Sequence, residues 1–171
     1  MYSVGSLIVY GSTGVCRVDA VGPSPVGGSG DRTYYTLTPL RGSGTIYVPV
    51  DSGVFIRPIL TRPEALALID RIPQIRQAQL ESRDYRALSQ EYRTFLDSHR
   101  CEDLVQLIKA VYLKTHHTAS AGKKPSKVDQ DYQKRAEALL HDELAAALDI
   151  PFDQVKDFIA QRIRQLEGNQ A

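Results

Sequence analysis

Four histidines, two cysteines and a Gly-Lys-Lys run are the residues of this chain whose types invite chemistry. Gly122-Lys123-Lys124 ends like a phosphate-cradling loop, which needs a Gly five positions before Lys123's own Gly, a Ser or Thr after the Lys and a strand ahead of it. Position 117 is His, Lys124 follows Lys123, and the preceding pattern is helical, so this chemistry is excluded. Gly27, Gly28 and Gly30 precede a strand pattern instead of opening a helix, and read as a hairpin loop. Cys16 and Cys101 lack a second Cys or His at metal-ligand spacing, so two reduced or buried thiols and no metal are expected. His99, His116 and His117 fall near helix ends or loops, and His141 reads as a surface residue. With neither a Gly-x-Ser-x-Gly elbow nor a His-Glu-x-x-His pair, the expectation is a protein that is not an enzyme and needs no cofactor.

Charge is the stronger signal. The formal net charge is +1, yet seven Lys/Arg stand against Asp129 and Asp131 between Lys109 and Arg135, a local excess of +5. Such a stretch suits either phosphate contact or a solvated face. Tyr85 sits in Ser82-Arg83-Asp84-Tyr85-Arg86, where an aromatic flanked by guanidinium groups is able to stack on bases or wedge between them. Tyr92, Tyr112 and Tyr132 lie at apolar spacings and read mostly as core or rim.

Two kinds of element must position these residues. Runs at 7–10, 15–21, 33–40, 44–49 and 54–57 are rich in β-branched and aromatic residues and are separated by Gly, Ser and Pro clusters. Five short antiparallel strands in so short a span predict a small SH3-like or Tudor-like barrel, closed to protect its edges. From Thr61 the periodicity turns helical. Thr61 caps a helix bearing Leu66, Ile69 and Ile72. Later helices carry Tyr85, Leu88, Tyr92 and Phe95; then Leu104 to Tyr112; then Val128 to Leu144 behind a Ser126 cap; and finally Val155 to Ile163 after Pro151. Residues 115–125 read as the loop between the third and fourth helices. The predicted fold is α+β, a barrel over 1–58 followed by an all-α five-helix bundle over 59–171. The first residues lack a basic-then-apolar leader pattern and no stretch approaches the roughly 20 apolar residues of a membrane span, so a cytoplasmic protein is expected.

The ordered segments resemble the CarD/CdnL family of bacterial transcription regulators. They are Val4-Gly5-Ser6-Leu7-Ile8-Val9-Tyr10-Gly11, Thr13-Gly14-Val15-Cys16-Arg17-Val18, Tyr34-Tyr35-Thr36-Leu37 and Gly44-Thr45-Ile46-Tyr47-Val48-Pro49-Val50. Leu107-Ile108-Lys109-Ala110-Val111-Tyr112-Leu113-Lys114 and Ala136-Glu137-Ala138-Leu139-Leu140-His141-Asp142-Glu143-Leu144-Ala145 complete the series. The resemblance implies an N-terminal domain that binds the RNA polymerase β subunit through Thr45, Ile46, Tyr47 and Val48. It also implies a helical domain that contacts promoter DNA at the upstream edge of the bubble and stabilises the open complex. The basic surface then corresponds to Arg83, Arg86, Lys123, Lys124, Lys127, Lys134 and Arg135, with Tyr85 beside it.

Two departures from the family pattern stand out. The chain has no Trp, the residue that well-studied members insert as a wedge near the start of the second helix, and Tyr85 is the nearest substitute. Tyr47 stands where some members carry Arg on the polymerase-facing strand. A competing expectation is a protein–protein adaptor whose helical domain never touches DNA.

Overall fold

A computed structural model describes residues 1–27, 30–81 and 84–169. Among these the chain forms five β-strands and five α-helices, and it divides into two compact units, Met1–Leu60 and Thr61–Ala171. The α+β layout of strands followed by helices is as expected.

In the first unit the strands are β1 (Leu7–Tyr10), β2 (Gly14–Gly22), β3 (Tyr34–Pro39), β4 (Ile46–Pro49) and β5 (Ile56–Pro58). They form one antiparallel sheet in the order β4-β3-β2-β1-β5. Alternation puts Ile8, Cys16, Val18, Tyr35, Leu37 and Val48 into one cluster, with Ile46 and Ile56 packed at its margin. The ladder does not close, because β4 and β5 are its two edges among the described pairings. At Asp19 the β2–β3 register slips by one residue, a bulge that increases the local twist. The Asp19 carboxylate accepts from the Thr38 hydroxyl and, at 2.7 Å, from Arg17 Nε. Both bonds hold its pKa below the ordinary carboxylate value, Thr38 the more strongly.

The second unit begins with α1 (Arg62–Arg71), opened by a complete capping box. Glu64 N donates to the Thr61 hydroxyl at 3.2 Å, and Thr61 N donates to the Glu64 carboxylate at 3.0 Å. The buried stripe of α1 is Ala65, Leu68 and Ile69, one step round from the expected Leu66–Ile69–Ile72 face. Ile72 has left the helix for a 3-10 turn that Pro73 enforces.

The remaining helices are α2 (Tyr85–Asp97), α3 (Cys101–Ser120), α4 (Lys127–Leu148) and α5 (Val155–Asn169). Leu88, Tyr92, Leu104, Leu107, Val111, Tyr132, Leu140, Leu144, Leu148 and Val155 form most of the core. Cys16 and Cys101 are both buried thiols outside any disulfide, and the Cys101 thiol donates to the Glu143 carboxylate at 3.1 Å. Among the described residues no helix is long and apolar enough to cross a membrane, and no cluster of His, Cys, Asp and Glu is placed to hold a metal ion.

The expected 115–125 loop is shorter than the sequence suggested, because α3 runs on to Ser120. Thr118 and Ser120 donate their hydroxyls to the carbonyls of Lys114 and His116, four residues back, and so satisfy themselves within the helix. The stop comes at Gly122, whose φ of 76° only glycine adopts freely. Gly122 N donates to Ala119 O at 3.0 Å and Lys123 N to Thr118 O at 2.9 Å, the paired bonds of a Schellman termination.

One ion pair ties the two ends of this unit. Arg162 of α5 grips Asp70 of α1 through Nε at 2.6 Å and a second guanidinium nitrogen at 3.0 Å. The hydrogen bonds from Arg162 hold the Asp70 pKa below its ordinary value. A depressed carboxylate pKa contributes stability above the unfolded pKa of about 4, and that contribution is lost as pH falls through the folded value. Because about a third of each side chain is exposed, Asp70→Asn is expected to cost about 1 kcal/mol or less at pH 7. Urea titrations should show the gap between wild type and variant closing below about pH 4.

Candidate nucleic-acid interface

The first turns of α2 and α4 face each other across a groove of about 520 Å³. From α2 it is lined by Tyr85, Arg86, Ser89, Gln90 and Arg93, and from α4 by Lys127, Val128, Asp131, Tyr132 and Arg135. Both helices contribute the same spacing, a first residue and those one, four, five and eight positions on, which is one face of an α-helix. The last of each set is an arginine.

The floor is held by a buried polar network. Tyr92 is fully buried and donates its hydroxyl to Asp129 Oδ1 at 2.6 Å, and Lys114 Nζ donates to the same oxygen at 3.1 Å. The Asp129 backbone N–H is bound by the Ser126 cap at 3.2 Å, so the N-terminus of α4 and the buried carboxylate are fixed together. Burial first, and the Asp129 carboxylate second, push the Tyr92 pKa far above the ordinary phenol value. The Tyr92 and Tyr132 rings meet at 5.1 Å between centroids. Arg93 Nε donates to the Tyr132 hydroxyl at 3.2 Å, and the Arg135 guanidinium lies 5.3 Å from the Tyr132 ring centroid.

Electrostatically the groove is positive. Arg86, Arg93, Lys127 and Arg135 line it against the single carboxylate Asp131. None of the four is ion-paired among the described residues. The positive ends of two helix dipoles add to their field.

Of the residues expected to meet DNA, the groove therefore gathers Tyr85, Arg86, Lys127 and Arg135. Tyr85 is the first residue of α2 and 68% exposed, unlike Tyr92 and Tyr132. Tyr112 is also exposed, stacked on His116 at 6.0 Å. Lys123 and Lys124 are exposed in the short connection after α3, and Lys134 is exposed on α4; none of these three lines the groove. Arg83 lies outside the described residues.

Two lysines counted in the basic excess are committed elsewhere. Lys114 is paired with buried Asp129, and Lys109 donates to the carbonyls of Ile72 and Ile75, the latter at 2.6 Å. Desolvation lowers the Lys109 pKa. The residue that sequence reading missed is Arg93, isolated from other cations in the chain; the eight-residue step from Tyr85 was the available signal.

On the first unit, Val50 N donates to Thr33 O at 3.0 Å, which marks a hydrogen-bonded pair on the β3–β4 ladder. By alternation from that pair, the backbones of Ile46 and Val48 turn toward β3 and that of Tyr47 turns to the open edge. Pro49 has no N–H to offer. The side chains alternate too: Val48 is 4% exposed and Tyr47 41%, with Ile46 partly buried and Thr45 exposed just ahead of the strand. Of the four residues expected to meet polymerase, Val48 is a core residue whose backbone also faces β3, so neither its side chain nor its N–H and C=O lie at the open edge.

Residues 2–60 match the family model described as the CarD-like/TRCF RID domain. No curated protein matches the chain.

Proposed function

We propose that this chain, whose residues 2–60 belong to the CarD-like/TRCF RID family of RNA-polymerase-interacting domains, is a transcription regulator of the CarD/CdnL kind. That family is an interaction domain, not a catalytic one, and it supports the polymerase as partner. The finer reading is that the open β4 edge binds the polymerase β subunit by strand pairing and that the helical unit contacts promoter DNA at the upstream edge of the bubble. A Tudor-like curl of the sheet is consistent with the bulge at Asp19.

The observation that carries the DNA half is the α2–α4 groove, with four cations free of carboxylate partners among the described residues and an exposed tyrosine beside them. Guanidinium forks bind phosphate oxygens in pairs, and an exposed ring at a helix start suits stacking against a base step. The connection at 121–126 adds Lys123 and Lys124, which also lie near the negative end of the α3 dipole. Stabilisation of the open complex then follows from linkage: a factor that binds the open form more tightly shifts the equilibrium by that difference, about fivefold per kcal/mol.

Replacing Lys123, Lys124 and Lys127 together by Ala tests this directly. Affinity for the polymerase–promoter complex is expected to fall, and the slope of log affinity against log salt to drop by about 0.9 for each phosphate contact removed. An unchanged slope, with polymerase still bound, would transfer the assignment to a protein–protein adaptor.

A further inference from the structure

The groove is concave and of a size that a DNA backbone does not fill. A duplex presents phosphates along a convex ridge, able to meet cations on the rim but not to occupy a volume of about 520 Å³. That volume falls within the range of about 300–1,000 Å³ usual for small-molecule sites. We propose that the α2–α4 groove binds a free nucleoside triphosphate, its phosphates on Arg86, Arg93, Lys127 and Arg135 and its base against Tyr85.

Charge and shape agree on this class of ligand. Four cations against the single carboxylate Asp131 leave a surplus that a triphosphate neutralises and a monophosphate does not. Three of the four are arginines, whose planar forks bind phosphate oxygens bidentately. Asp131 disfavours phosphate at its own position, while its oxygens accept hydrogen bonds from sugar hydroxyls. Ser89 and Gln90 add neutral hydrogen-bonding groups along the α2 wall. The exposed Tyr85 ring offers a stacking face, and Val128 with the Tyr132 ring gives the floor an apolar strip. The floor is preorganised, because Tyr92, Asp129, Lys114 and Ser126 lock the two helices, and contacts of Arg93 and Arg135 with Tyr132 orient two of the four cations without neutralising them. If the DNA reading above holds, nucleotide and DNA compete for the same guanidinium groups, and the free nucleotide regulates promoter contact.

Calorimetric titration of the full chain with ATP, GTP and sodium triphosphate tests the site. Saturable binding of ATP or GTP is expected, tighter than triphosphate alone. Arg93→Gln and Arg135→Gln should each weaken it at least about tenfold, the size of one lost charge-assisted contact. Arg164→Gln, an equal change of charge on the exposed face of α5, should leave it within about twofold. Tyr85→Ala should bring ATP down to the affinity of triphosphate. Three results would overturn the proposal: no saturation by ATP or GTP at millimolar concentration, equal affinity of wild type for ATP and triphosphate, or an Arg164→Gln defect as large as that of Arg93→Gln. Titration of the same variants with promoter duplex separates the two readings. Lost duplex binding in Arg93→Gln, with no nucleotide bound by wild type, removes the nucleotide site and leaves the DNA reading intact. Nucleotide binding with duplex affinity unaffected by either arginine variant keeps the site and removes the competition.

Discussion

Tyr47→Glu is expected to abolish binding to the isolated polymerase β-subunit lobe while leaving the first unit folded. Tyr47 is 41% exposed on the edge strand, and its backbone N–H and C=O turn away from β3. An incoming strand would pair with those groups and pack against the ring, and an aromatic anchor at such a position is worth about 2–4 kcal/mol. A carboxylate there loses the anchor and must also be desolvated against the partner, so affinity should fall at least about thirtyfold. Val48→Glu is the opposite case. Val48 is buried in the cluster of Ile8, Cys16, Val18, Tyr35 and Leu37, where an unpaired carboxylate has no partner, and the unit should unfold. Ile46→Glu, which alternation alone would make equally disruptive, should be milder because Ile46 sits at the cluster's margin, only partly buried. Pull-down of the lobe beside a thermal melt of each variant decides the matter. Normal lobe affinity in Tyr47→Glu would move the contact to the other open edge, β5.

The parts of the molecule that were legible in the sequence are those governed by local rules. The change of period near residue 60, the caps at Thr61 and Ser126 and the inward alternation of β4 need only neighbouring residues to be read. Where distant groups decide, the sequence is silent. Lys109 looks like any other lysine in a basic stretch until its partners, the carbonyls of Ile72 and Ile75, arrive from more than thirty positions away. Lys114 likewise loses its free charge to Asp129. The overshoot of α3 has a subtler cause: Thr, Ser and His at 115–120 are indifferent helix formers, and hydroxyls that bond back to their own helix tip the balance as far as Gly122. Sheet closure was inferred from the need to protect edges, but an edge strand that serves as a binding template is a reason to leave one open.

Tyr92→Ala should remove about 3–5 kcal/mol of stability, a large share of the roughly 5–15 kcal/mol available to a domain, whereas Tyr85→Ala should leave stability nearly unchanged. The two tyrosines lie seven residues apart on α2, yet one is fully buried and the other 68% exposed. Truncating Tyr92 opens a cavity between α2 and α4, breaks the ring contact with Tyr132 and leaves Asp129 with Lys114 as its remaining side-chain donor. Tyr92→Phe keeps the packing and isolates the hydroxyl, which should cost about 1–3 kcal/mol for the bond to a buried carboxylate. The same variant has a pH signature. Because the folded pKa of Tyr92 is raised, its contribution is complete below the unfolded phenol pKa of about 10 and declines above it, by up to about 1.4 kcal/mol per pH unit. Tyr92→Phe should therefore flatten the alkaline limb of the stability curve, and an unchanged limb would mean that burial and Asp129 together do not keep the hydroxyl protonated in the folded protein. Tyr85→Ala should instead shorten the lifetime of the open promoter complex, since an exposed ring contributes little to packing and its value lies in what it meets. A melting temperature lowered by Tyr85→Ala as much as by Tyr92→Ala would return Tyr85 to the core and leave the groove without its aromatic rim.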